Sequence, residues 1–227
     1  MTKQSTLTRA NLKTPKAAAI DGILFSIPLF LVLWLLRISV PDDPQEPGSW
    51  LKSESSTVAL AVNLVPFAAI AFLWFIGVLR DRLGESEDRF FATVFFGSGL
   101  LFLAMLFAAA AVAGALIISF KTAPAQLINS ATFHFARAVA YDMMNIYAIK
   151  TSCVFMFTTS TIAIYTGFAP RWLAVLGYGL SLLLLFGSHF LSWSFVAFPI
   201  WVLAMSIFIL FDSSRANPER SDARTEN

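Results

Sequence analysis

Along most of its length the chain alternates runs of roughly 20 uninterrupted apolar residues with short polar punctuation, the pattern of helices that have lipid as their solvent. A hydrocarbon core about 30 Å thick takes about 20 residues at roughly 1.5 Å each. Bounding the runs by charge, Pro or Gly predicts six spans, at about 20–39, 57–79, 90–119, 149–166, 172–186 and 191–211. The first stops at Pro41-Asp42-Asp43-Pro44, where two prolines and two carboxylates cannot continue a lipid-buried helix. The third is long for one crossing and predicts a tilt, whereas the fifth is short. Residues 1–16 and 213–227 are polar tails, leaving 17–212 as the membrane domain. The predicted fold class is an all-α polytopic transmembrane bundle.

Only the fourth span is ambiguous. From Leu127 to Gly167 no helix breaker intervenes, yet the first half carries His134, Arg137, Asp142, Asn145 and Lys150. The simplest solution crosses at 149–166 and leaves 130–148 as a polar helical extension, either projecting beyond the membrane or lying along its surface; a re-entrant path is the alternative. At 100° per residue, His134, Arg137, Tyr141, Asn145, Ser152 and Thr159 share a sector of about 80°. Such a polar stripe has to face protein or water. Either Ser152 and Thr159 bond their own backbone and the rest is a solvated outer face, or the stripe lines a ligand pocket. Asp142 and Lys150 fall off the stripe, and Lys150 is expected to snorkel outward.

Lysine and arginine set the orientation. With the N-terminus inside, eleven basic residues lie on the cytoplasmic side and three, Arg37, Lys52 and Lys121, outside; Arg137 and Lys150 belong to the ambiguous segment. Both termini are therefore predicted to be cytoplasmic. The first external loop, Pro41 to Ser56, is acidic and proline-rich. Trp34 and Trp172 sit near predicted interfaces, while Trp201 falls mid-span and is expected to pack.

Composition agrees with the pattern: 57% of residues are hydrophobic, 13% are charged and the mean hydropathy is +0.71. A net charge of +2, with the basic residues at span ends, gives no footprint for nucleic acid. One cysteine, Cys153, and two histidines offer neither an internal disulfide nor a zinc site, so neither metal nor cofactor is expected. The first apolar run lacks a small-residue cleavage site and is expected to act as an anchor, not a removable signal. Neither an internal repeat nor a soluble catalytic domain is evident.

Candidate chemistry outside the fourth region is sparse. Asp21 opens the first span, where an acid either favours the helix dipole or serves as a proton or cation site. Arg37 either snorkels to the outer interface or pairs with the acidic loop beyond it. Asn63 and Pro66 interrupt the second span, and a kink facing the bundle interior is expected, because proline frees a carbonyl that a neighbour must satisfy. Gly97-Ser98-Gly99 places a serine beside glycine, as in rhomboid-type intramembrane proteases, but without their Gly-x-Ser-Gly spacing. Ser98 would also lie at a different depth from His134 and His189, so no base can reach it. Close packing at small residues explains that motif better, as it does the pairs Ala110/Gly114, Ala111/Ala115 and Gly177/Ser181. The 23 phenylalanines are read as lipid contact and core filling.

Pro170-Arg171-Trp172-Leu173-Ala174-Val175-Leu176-Gly177 resembles a feature of uncharacterised polytopic bacterial inner-membrane proteins of the domain-of-unknown-function type. In these, a Pro-Arg-Trp-Leu loop and a glycine-bearing helix introduce the penultimate spans. The resemblance implies an all-helical multi-pass protein of the bacterial cytoplasmic membrane and carries no activity with it. The leading expectation is a non-enzymatic accessory or assembly partner, in contact with the lipid bilayer and with other membrane proteins or further copies of itself. A small-solute or ion carrier is the alternative, its polar pocket drawn from the six stripe residues together with Asn63 and Asp21. An intramembrane enzyme comes last, because no acid and base share one depth.

Overall fold

The structure, a computed structural model, describes residues 14–41, 43, 46–83, 89–187 and 194–215. All regular structure among them is helical. Helix α1 is Thr14–Ser39; a 3-10 turn, Gly48–Trp50, leads into α2, Leu51–Leu83; α3 is Arg89–Thr122 and the short α4 is Pro124–Leu127. Then follow α5, Ala131–Asp142, a π-helical segment, Met143–Ala148, and α6, Ile149–Thr166. Helix α7 is Arg171–Gly187, and a 3-10 turn, Ser194–Val196, precedes α8, Ala197–Arg215. Four stretches are long and apolar enough to cross a membrane: Ala19–Ser39, Gly48–Arg80, Phe90–Thr122 and Ala131–Thr166. Two shorter apolar helices, Arg171–Gly187 and Ala197–Phe211, accompany them.

Local chemistry explains the ends. Pro15 sits in the first turn of α1, where its missing N–H is not needed. Ser130 caps α5, its Oγ accepting the Phe133 N–H at 3.1 Å. Gly167 closes α6 in the left-handed region (φ 68°), donating its N–H to the Ala163 carbonyl. The Pro170 carbonyl then accepts from Leu173 and Ala174 to start α7. Between Ala131 and Thr166 the helix is continuous for 36 residues, about 54 Å, and the chain does not turn back on itself.

Neighbouring helices run antiparallel. Along α2 and α3, Phe72 meets Phe102, Ile76 meets Gly99, and Arg80 lies 5.1 Å over the Phe96 ring. Along α6 and α7, Lys150 reaches Leu185 at one end and Thr161 bonds Tyr178 at 2.7 Å towards the other. Helix α8 packs on α1, where Gly22 faces Ser206. Glycines mark the closest approaches, because a Cβ at Gly22, Gly99 or Gly177 would stand 1.9, 2.5 or 2.1 Å from a neighbouring side chain.

The centre is aromatic. The Phe72 ring lies 4.4 Å from Phe25, 5.1 Å from Phe155, 5.4 Å from Phe102 and 5.8 Å from Phe198, joining α1, α2, α3, α6 and α8 in one buried cluster. Tilted and edge-to-face rings at these separations attract beyond simple contact. A second, smaller core of Leu51, Phe120, Leu127 and Phe133, edged by Trp50, closes the end of the bundle where α1 stops and α2 begins.

Candidate functional site

The polar residues of the fourth region begin at that end. Arg137, two turns into α5, is buried with its guanidinium turned towards the segment joining α1 to α2. Its Nη1 donates to the Glu46 carbonyl at 2.6 Å and its Nη2 to the Pro41 carbonyl at 2.9 Å, while the group lies 5.7 Å from the Trp50 ring centroid. Burial pulls the guanidinium below its usual pKa, and the charges of Glu46 and Asp43 offset part of that desolvation. Gly48 completes the attachment: its N–H bonds the Ile128 carbonyl at 3.2 Å, and a Cβ there would stand 2.8 Å from the Phe133 ring. Arg137 is therefore a clasp between α5 and the chain ahead of α2, with two of its donors spent on backbone carbonyls.

The remaining stripe residues do not join it in a pocket. His134 is half-buried with its ring edge-on to Phe133 at 5.5 Å, and Tyr141 is 43% exposed. Asn145 donates from Nδ2 to the Tyr141 carbonyl at 3.0 Å. Ser152 and Thr159 are buried and bond the carbonyls of Ile149 and Phe155, at 2.8 and 2.7 Å. Of the two readings of these hydroxyls, bonding to their own helix is the one observed. The π-helical turn lies between the upper and lower members, so a wheel of constant 100° steps does not carry through it.

Asp21 and Asn63 stand elsewhere. Helix α1 begins at Thr14, so Asp21 is its eighth residue, about 27 Å along the helix from Ser39; the dipole reading is corrected, because that residue lies beyond the first turn. Asn63 and Pro66 both point out of the bundle, which overturns the expected inward kink: the buried face of α2 is Ala61, Val65, Ala68, Phe72 and Ile76. Lys150 departs from expectation too. Half-buried, it donates from Nζ to the Leu185 carbonyl in the last turn of α7, where a cation suits the helix C-terminus.

Ser98 is buried and bonds the Phe95 carbonyl at 3.0 Å; beside it Gly99 is packed tightly, while Gly97 faces open space. Ala111 and Ala115 are exposed, so that pair serves no internal contact, whereas Gly177 and Ser181 are both buried. His189 lies outside the described residues. Cys153 is buried. A void of about 30 Å³ beside the π turn is lined by Leu33, Leu106, Met144, Ala148 and Phe198 with Ser152, whose hydroxyl is already engaged. That is room for a water or two in an apolar wall. Among the described residues no three of His, Cys, Asp and Glu come together as a metal group would need.

No family model, curated protein or solved structure matches the chain. What the site offers has to be read from its own geometry. That geometry is a clasped end-cap above a closed aromatic core.

Proposed function

We propose that this is a multi-pass protein of the bacterial cytoplasmic membrane that crosses six times with both termini inside, and that it acts as a non-enzymatic accessory or assembly partner. The filled centre is the observation that carries the second half: at mid-bundle, where a carrier needs a polar path, five phenylalanines from five helices meet. Of the polar side chains that a carrier would use, Asn145, Ser152 and Thr159 are bonded to their own helix, Arg137 is committed to the clasp, and Asn63 and Tyr141 are turned outward. Six crossings are supported by the antiparallel partnering of α7 with α6 and of α8 with α1, which sets each shorter helix beside one of membrane length. The excess of Lys and Arg on one side supports the orientation, and the Pro170–Gly177 resemblance supports the bacterial membrane.

Two measurements test this. In a Cys153→Ser background, cysteines introduced at positions 3 and 226 should resist an impermeant thiol reagent on sealed cells, and labelling of either tail from outside would sink the topology. Purified protein in liposomes should pass K⁺, Na⁺, H⁺ and Cl⁻ no faster than empty vesicles. Flux that vanishes in Asn145→Ala or Asp21→Asn, with folded protein unchanged, would establish the carrier reading instead.

A further inference from the structure

The outward face of α2 carries one group that lipid cannot satisfy. Asn63 is exposed, lies nine residues, about 13 Å, past Glu54 and seventeen residues, about 25 Å, before Arg80, and its side-chain amide makes no hydrogen bond to another described residue. Its neighbours on that face are Leu60, Phe67, Ile70, Trp74 and Gly77, all exposed, at alternating steps of three and four. That is the 3.5-residue period of a left-handed helix pair. A Cβ at Gly77 would meet nothing within 4 Å, so a second helix can come close there.

We propose that α2 pairs in parallel with α2 of a second copy, Asn63 against Asn63 of that copy at a two-fold axis. Copies in one membrane share an orientation, so the two amides lie at the same depth. An amide is both donor and acceptor, which makes it complementary to itself, as a two-fold interface requires. A single Asn on an otherwise apolar seam fixes register and copy number in soluble coiled coils by the same chemistry. This deepens the association reading above and rests on α2 being a membrane span.

The test is oxidative cross-linking in native membranes of Cys153→Ser protein carrying one new cysteine. Leu60→Cys, Phe67→Cys, Ile70→Cys and Trp74→Cys should give disulfide-linked dimers, and Leu182→Cys, exposed on α7, should not. Asn63→Leu, a change on an exposed face that leaves the bundle intact, should weaken dimerisation about tenfold as read by energy transfer on dilution in lipid, and Asn63→Gln should restore it to within about twofold. Dimers indifferent to Asn63→Leu would overturn the proposal. A monomer whose α2 cross-links to a different membrane protein would overturn it and leave the association reading standing; a monomer that carries solute would overturn both.

Discussion

Arg137 donates to two carbonyls from two different nitrogens, its planar fork spanning Pro41 and Glu46, whereas a lysine ammonium would have to serve both from a single centre. Arg137→Ala should cost about 1.5–3 kcal/mol in detergent unfolding, and Arg137→Lys should recover less than half of that. In both, a cysteine placed at position 51, buried in the small core at that end of the bundle, should react faster with an impermeant reagent. Ser160 shows the opposite sign. Its Oγ is fully buried with no hydrogen-bond partner, so Ser160→Ala should be neutral or stabilising by up to about 1 kcal/mol on the same measurement. The sequence marks Arg137 as unusual, because a guanidinium beside a membrane span needs an explanation, but not what it holds. Its acceptors are backbone carbonyls 91 and 96 residues away, and a carbonyl leaves no mark in a residue pattern.

At the level of the helices, the long apolar runs announce themselves while their rotations do not. An amphipathic soluble helix shows its inner face by contrast, but α2 is apolar all round, and nothing in Ala61, Val65 and Phe72 against Leu60, Phe67 and Ile70 says which set faces in. The inward reading of Asn63 failed for that reason. The π turn hid the stripe's geometry in a similar way, since no residue in Met143–Ala148 forces a change of pitch. Deleting Met143 should restore an ordinary helix and leave Arg137 on its carbonyls, because six residues at the wider π pitch turn about as far as five at about 100° each, so that a cysteine at position 51 in the small core stays shielded. Helix contacts give a second check. At Gly177 an added Cβ would stand 2.1 Å from Ser160 Oγ and 2.8 Å from Trp201 Nε1, so Gly177→Ala should destabilise by about 1–3 kcal/mol. Combining it with Ser160→Ala should recover part of the loss, because one of the two collisions is removed.

The whole molecule is held by shape, because lipid is as apolar as the bundle interior and burial alone gives little drive for helix association. Phe72 is the node of the aromatic cluster, and Phe72→Ala should cost about 3–5 kcal/mol in thermal unfolding, the upper range for an aromatic deletion that leaves a cavity. The clasp sets an order of events during biosynthesis. Ninety-one residues separate Glu46 from the arginine that secures it, and at about 5–20 residues per second a ribosome needs roughly 5–18 seconds to supply them. On the six-crossing reading proposed above, the first two helices enter the bilayer as a hairpin with an unfastened tip. Nascent chains arrested before Ala131 should leave a cysteine at position 51 open to thiol reagents, and completed ones, with Phe133 packed over it, should shield it.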